Sequence, residues 1–362
     1  MRSNIQYVGS GCSSVIQAKP GTQDNLMGEA SPLEAVSQVL IRDLFLDGNA
    51  ANIAAQGDDT HQNAIRWWKV SYSRISNVFI SNTVYNGISL YSTSNDNIIE
   101  KCSFYSIGKS GAVGAKNGIV VEFGSDRNKI QFNRILGVLE NGIQVGETIG
   151  GATNYDNTIQ GNVIGTCNGD GIRLGFESGA ASLQGAKVID NQIANCGGNS
   201  VGIRIFMGST GTFENALISG NIISNCANGL LLQGANIHKA LVTNNHIINS
   251  SGQGLRIEGE DCIVSNNISL NNPTNFTDAG TRTISAGNIV DATSGQFNIL
   301  GKLAIGGGTP ISRHLSATTV WEPVSINSAA GTSTTLTVIG AQVGNTVAVG
   351  FATPVPAKAM LF

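Results

Sequence analysis

Hydrophobic residues recur along this chain at alternate positions behind a small polar opener. The segments "QNAIRWW", "YNGISLYS", "KNGIVVEFG", "ENGIQVGE", "GDGIRLGF", "SVGIRIF", "NGLLLQG" and "GQGLRIEG" share one template. Asn63, Asn86, Asn117, Asn141, Asp170, Ser200, Asn228 and Gln253 open it, roughly 22 to 31 residues apart. Behind each opener stands a trio that reads inward, outward, inward. Examples are Ile65-Arg66-Trp67, Ile88-Ser89-Leu90, Ile119-Val120-Val121, Ile143-Gln144-Val145, Ile172-Arg173-Leu174 and Ile203-Arg204-Ile205. A period of two places alternate side chains on opposite faces of a strand, so the repeats are strands and not helices.

A second signal trails the first, in "FISNTV", "IQFNRI", "IQGNVI", "VIDNQI", "LISGNII", "LVTNNHI" and "IVSNNIS". Its Asn recurs at Asn82, Asn133, Asn162, Asn191, Asn221, Asn245 and Asn267, with Cys102 in that place in the second repeat. A repeat of this length built from short strands predicts a solenoid. Three short strands per coil, stacked in parallel about 4.8 Å apart, predict an all-β parallel β-helix of about 8 to 10 coils over residues 1–300. Each Ile or Leu then continues an aliphatic stack, and the Asn-Gly supplies the bend before the coil's first strand. The trailing Asn marks a second turn, where its amide can bond to backbone and to the Asn one coil away. Cys167, Cys196 and Cys226 recur at one site in successive coils. They predict an interior stack of small apolar side chains, with a bridged or metal-bound arrangement as the alternative.

Composition agrees with many tight turns. The 362 residues include 46 Gly and 38 Asn but only 7 Pro, and charged residues are 12%. Gly and Asn tolerate positive φ, whereas Val, Ile and Thr suit a pleated surface. A net charge of -3 gives no basic footprint for nucleic acid. No apolar run approaches a membrane span, and "MRSNIQYVGSGCSSVIQAK" lacks the core of a signal peptide. Six cysteines without a CxxC pair do not form a disulfide framework.

From about Ile5 to Ile289 the chain resembles the pectate-lyase-like superfamily of right-handed parallel β-helices. The "NGI-x-L" strands, the Asn ladder, "VGSGCSSVI" and "VLIRDLFLDGN" carry the resemblance. In style it is closest to bacteriophage tailspikes and depolymerases, which implies a location in a virion tail or outside the cell. Past Ile289 the ladder stops. Residues 301–310, with the Gly306 to Pro310 run, read as a linker. Residues 311–362 resemble the small β-sandwich behind phage tail β-helices, in "GTPISRHLSATTVW" and "VGNTVAVGF". In such proteins that module helps hold three chains together, so the resemblance implies a homotrimer.

The resemblance also implies that substrate lies along the first strand of each coil. Outward positions there offer Arg66, Trp68, Tyr91, Gln144, Arg204 and Phe206 as substrate contacts, with Glu177 in a loop beside them. Sugar C–H faces stack on aromatic rings, and uronate or sialate carboxylates suit the Arg fork. The alternative is a solvated or subunit-facing surface. For cleavage the candidates are Glu122, Glu147, Asp170 and Arg173. Hydrolysis needs two carboxyl groups about 5 to 9.5 Å apart, and elimination needs a cation on the uronate with a base at C5. No outward Asp cluster resembles the calcium site of pectate lyases, so no cofactor is expected, although Ca2+ stays compatible with the fold. Asp58, Asp59 and His61 read as a hydrophilic turn, and His238 and His246 as structural. The expected activity is binding and cleavage of an anionic polysaccharide by a lyase or glycoside hydrolase. A non-catalytic glycan-binding fibre and a secreted pectate-lyase-type enzyme are the alternatives.

Overall fold

The computed structural model describes residues 2–28, 34–57, 60–146, 152–176, 182–208 and 210–290. The expected linker and terminal β-sandwich lie outside the described residues. Three long parallel sheets dominate what is described, with eleven, ten and ten strands. In sequence the chain visits them in rotation. One turn runs from Lys129–Gln131 in the first sheet to Arg134–Val138 in the second and Ile143–Val145 in the third. It then returns to the first sheet at Thr158–Gln160. Among the described residues every strand pairing between successive coils is parallel, so each strand's ladder is completed by the coils on either side.

The inward positions form one column, as the alternation requires. Ile65, Ile88, Ile119, Ile143, Ile172, Ile203, Leu230 and Leu255 are registered in succession in the third sheet. All are fully buried. Each such aliphatic side chain contributes about 1.5 to 3 kcal/mol when taken from water. Ile130, Ile159, Val188 and Ile218 fill the interior from the first sheet, and Ile135, Ile164, Ile193 and Ile223 from the second. Cys167, Cys196 and Cys226 are buried free thiols within this core.

The corner between the first and second sheets has a two-residue signature. One residue takes a left-handed conformation: Phe132 (φ 56), Gly161 (φ 64), Asp190 (φ 54), Gly220 (φ 69), Asn244 (φ 56) or Asn266 (φ 55). The Asn that follows turns inward and is buried. There Asn133, Asn162, Asn191, Asn221, Asn245 and Asn267 each receive the backbone N–H of the preceding coil at 2.9 to 3.1 Å. Their Nδ2 groups donate to a carbonyl of that coil, as from Asn162 to Ile130 at 2.9 Å. Buried corner amides are thereby satisfied without water, which a closed solenoid requires.

Two details differ from the sequence reading. Asn82 is not a member of this ladder: it sits exposed in the second-sheet strand Phe79–Thr83 and donates to Asp47 Oδ1 at 3.2 Å. Val78 occupies the corner in its coil, because Phe79 pairs with Ser103 and so Val78 precedes Cys102 in the column. Coils also gain a fourth short strand on the return path, in Asn154–Tyr155, Ser182–Gln184, Thr212–Glu214 and Ile237–His238. Strands of two or three residues are too short for a period-2 pattern to reveal.

Candidate functional site

The outward side chains of the third sheet form two registered columns. Arg66, Ser89, Val120, Gln144, Arg173, Arg204, Leu231 and Arg256 succeed one another in the first. Two residues further along each strand stand Trp68, Tyr91, Glu122, Gly146, Gly175, Phe206, Gln233 and Glu258 in turn. The face is recessed. Ser89, Val120, Gln144 and Leu231 are at most 8% exposed although they point away from the core.

Along its length the face has three characters. In the early coils the rings pack on one another. Trp68 and Tyr91 have centroids 4.6 Å apart, and Tyr91 and Phe123 4.3 Å apart, both tilted. The Arg66 guanidinium lies 4.9 Å from the Tyr91 centroid and 5.2 Å from that of Trp68. Its Nη1 also donates to the Thr60 carbonyl at 2.9 Å. The Tyr91 ring is therefore engaged on both sides along the stack, by Trp68 and by Phe123. Phe123 was not a candidate from sequence. Its left-handed backbone (φ 51) ends the strand's alternation and brings its ring onto the stack.

In the middle coils the corresponding positions are two buried glycines. Gly146 (φ 102) and Gly175 (φ 133) hold conformations that L side chains rarely adopt. A Cβ on Gly175 would press on the Phe206 carbonyl, and one on Gly146 on that of Gly175. Backbone geometry thus demands glycine in two successive rungs, which leaves a side-chain gap in this column beside Gln144 and Arg173. Beside them stand Gln144, Arg173 and Arg204. Gln144 is held by its own coil, accepting from Asn141 Nδ2 at 2.9 Å and donating to the Gly146 carbonyl at 3.1 Å. In the late coils Arg256 and Glu258 pair with each other, and Glu258 also accepts the Gly234 N–H at 2.9 Å.

Asp170 opens its strand, as the repeat requires, but it is buried and so is not placed as an outward cleavage group. It is 4% exposed and stands in the column of amides that opens the third-sheet strands, not on the outward face. Its Oδ1 accepts the Val201 N–H at 2.8 Å, and its Oδ2 lies 3.2 Å from Arg204 Nε, an ion pair without the alignment of a hydrogen bond. Burial pushes its carboxyl above the ordinary range, against the opposing pull of Arg204, the Val201 N–H and Arg173.

Glu122 lies at the closing edge of its strand, half-buried, with its N–H on the Leu90 carbonyl at 2.9 Å. Relative to Glu122, Asp170 is two rungs away and at the opposite strand edge. Two rungs of about 4.8 Å and five strand positions of about 3.3 Å put the two backbones roughly 19 Å apart. A carboxyl pair for glycoside hydrolysis needs about 5 to 9.5 Å, so these two are not brought together. Glu147, Glu177, Asp58 and Asp59 lie outside the described residues. His61 is exposed, with Nδ1 2.7 Å from Thr60 Oγ1. His238 pairs with Glu260 at 3.1 Å in the fourth strip, and His246 opens a second-sheet strand, both away from this face. Among the described residues no group of three or more His, Cys, Asp and Glu side chains is disposed to hold a metal ion. Among them, too, no helix is long and apolar enough to cross a membrane.

The family model for the right handed beta helix region matches residues 58–216. No curated protein matches the chain by sequence. Among solved structures, a tailspike protein mutant of E. coli bacteriophage HK620 in complex with pentasaccharide is 14% identical, with a TM-score of 0.54. The match covers 81% of this chain and 54% of that one. A second mutant of that tailspike matches at 13% identity and a TM-score of 0.56, over the same shares. The chain therefore spans about half the length of these tailspike chains. DFA-IIIase from Arthrobacter chlorophenolicus A6, without its lid, is 14% identical over 68% of each chain, with a TM-score of 0.47. By its repeat, its three parallel sheets and the family model matching residues 58–216, the described part of the chain has the right-handed parallel β-helix fold, the fold it shares with the HK620 tailspike.

Proposed function

We propose that this chain binds a polysaccharide, anionic rather than neutral, in the middle coils of the outward third-sheet face. One observation carries the reading: Arg173 and Arg204 stand on successive rungs of the outward face, both partly exposed, with the partly exposed Phe206 beside them. From the rung of Phe123 to that of Phe206 is three rungs, about 14 Å, a span suited to a short run of sugar units. A sugar's C–H face can lie on the Phe206 ring, and a carboxylate suits the guanidinium forks next to it. The tailspike with a similar fold was solved with a bound pentasaccharide, which supports the ligand class. In this reading the protein serves a virion tail or acts outside the cell as a homotrimer.

Cleavage is the second reading, favoured by Glu122, a carboxylate one rung from Gly146 at the edge of the same gap. The test is a panel of acidic and neutral polysaccharides, scored for co-sedimentation and for change in chain length. Retention of acidic members supports binding, and retention of none overturns it. Chain shortening with ultraviolet absorbance from an unsaturated uronate would mark a lyase. Shortening without it would mark a hydrolase, and binding with no shortening an attachment protein.

A further inference from the structure

The opening corner of the third sheet carries its own amide ladder. Asn63, Asn86, Asn117 and Asn141 each accept the next coil's backbone N–H on Oδ1, at 2.8 to 3.1 Å. Where the geometry allows, Nδ2 donates to the rung before, as from Asn63 to Asn25 at 2.9 Å and from Asn141 to Asn117 at 3.0 Å. Asp170 is the next rung. Its N–H donates to Asn141 Oδ1 at 2.8 Å, and its own Oδ1 receives Val201 at 2.8 Å. An asparagine would make both bonds and could add an Nδ2 donation to Asn141. It would also avoid placing a charge in a site that is 4% exposed. For the ladder alone, aspartate is the worse residue.

A local rule broken at a buried position calls for a compensating role. The carboxylate differs from an amide in attracting a cation, and the cation here is Arg204, 3.2 Å away and 27% exposed on the outward face. Arg204 is the Cα partner of Arg173 on the preceding rung and follows the two glycine rungs. We propose that Asp170 is a positioning residue: its carboxylate, fixed by the ladder, holds the Arg204 guanidinium in the orientation that receives an acidic group of the glycan. This rests on the polysaccharide reading for the ligand, but the hold on Arg204 is testable without one.

Asp170→Asn keeps the ladder and removes the hold, whereas Asp170→Ala removes both. Phenylglyoxal labelling read by mass spectrometry reports the guanidinium directly. Arg204 should react severalfold faster in D170N than in the parent, while Arg256 reacts equally in both. Thermal unfolding controls for the fold, with D170N at or above the parent Tm and D170A below it. Polygalacturonate, alginate and hyaluronan, with dextran as the neutral control, then serve as glycan probes. Any acidic probe bound by the parent should bind D170N about tenfold more weakly, with Arg204→Ala equally weak and Arg204→Lys intermediate. Unchanged Arg204 labelling in a folded D170N overturns the positioning role. So does tighter binding by D170N, since removing a negative charge would then act through net charge alone. Faster labelling without binding of any probe by the parent would count against the ligand reading and leave the hold on Arg204 standing.

Discussion

The early and middle coils place different side chains on the same sheet face. In the early coils Trp68, Tyr91 and Phe123 stack along the solenoid axis with Arg66 against them, so large side chains complete one another. In the middle coils the same column reads Gly146 and Gly175, both buried, followed by the partly exposed Phe206. Aromatic rings on an outward strand are thus not in themselves a sugar platform. What decides is whether the adjacent rung fills the ring's face or leaves it open. On the proposed reading the stack serves stability, and the stretch of Arg173, Arg204 and Phe206 serves recognition.

That contrast can be broken from either side. Gly175→Ala should have the largest effect. Its φ of 133° and the press of a Cβ on the Phe206 carbonyl predict a loss above about 3 kcal/mol, read as a fall in the urea midpoint. Tyr91→Ala removes the central ring of the stack and should cost about 2 kcal/mol. Affinity for an acidic glycan should stay within about twofold of the parent, since the faces lost were not presented to ligand. Phe206→Ala should do the reverse. A half-exposed ring contributes about 1 kcal/mol or less to stability, while affinity should fall about tenfold. Equal effects of Tyr91→Ala and Phe206→Ala on binding would erase the distinction.

The smallest effect concerns pH. Burial raises the Asp170 pKa above its unfolded value, so the folded protein takes up this proton first. Its charged form therefore costs stability above the folded pKa, and that cost fades as pH falls through it. Asp170→Asn lacks the group. Its stability advantage over the parent should be largest near neutrality and shrink in acid, as measured by urea unfolding across a pH series. An advantage that grows on acidification would contradict the burial argument.

The core was legible because alternation is a direct record of which side chains face inward. Ile119, Ile143, Ile172 and Ile203 were expected in one column and stand there fully buried. The outward face was legible only in part. Alternation identified Arg66, Trp68, Tyr91, Gln144, Arg173, Arg204 and Phe206 as outward, but it says nothing of what stands over a ring. Phe123 escaped because a left-handed residue ends the period at that point. Asp170 is legible as an opener of its repeat, in the column of Asn117 and Asn141, but the repeat alone does not show that this column is a buried hydrogen-bonded ladder. In the coil after Asp170 that position belongs to Val201 and not to Ser200, since Val201 pairs with Asn228. Asn82 was drawn into the wrong ladder by its resemblance to the Asn of later coils, where the left-handed residue comes one position earlier.

The most direct measurement is a crystal structure of the protein with an oligosaccharide from whichever acidic polysaccharide it retains. Sugar rings should lie over the Gly146 and Gly175 rungs, one against Phe206, with an acidic group at Arg173 and Arg204. Sugar bound instead along Trp68 and Tyr91, or on the first or second sheet, would contradict the assignment of recognition to the glycine gap.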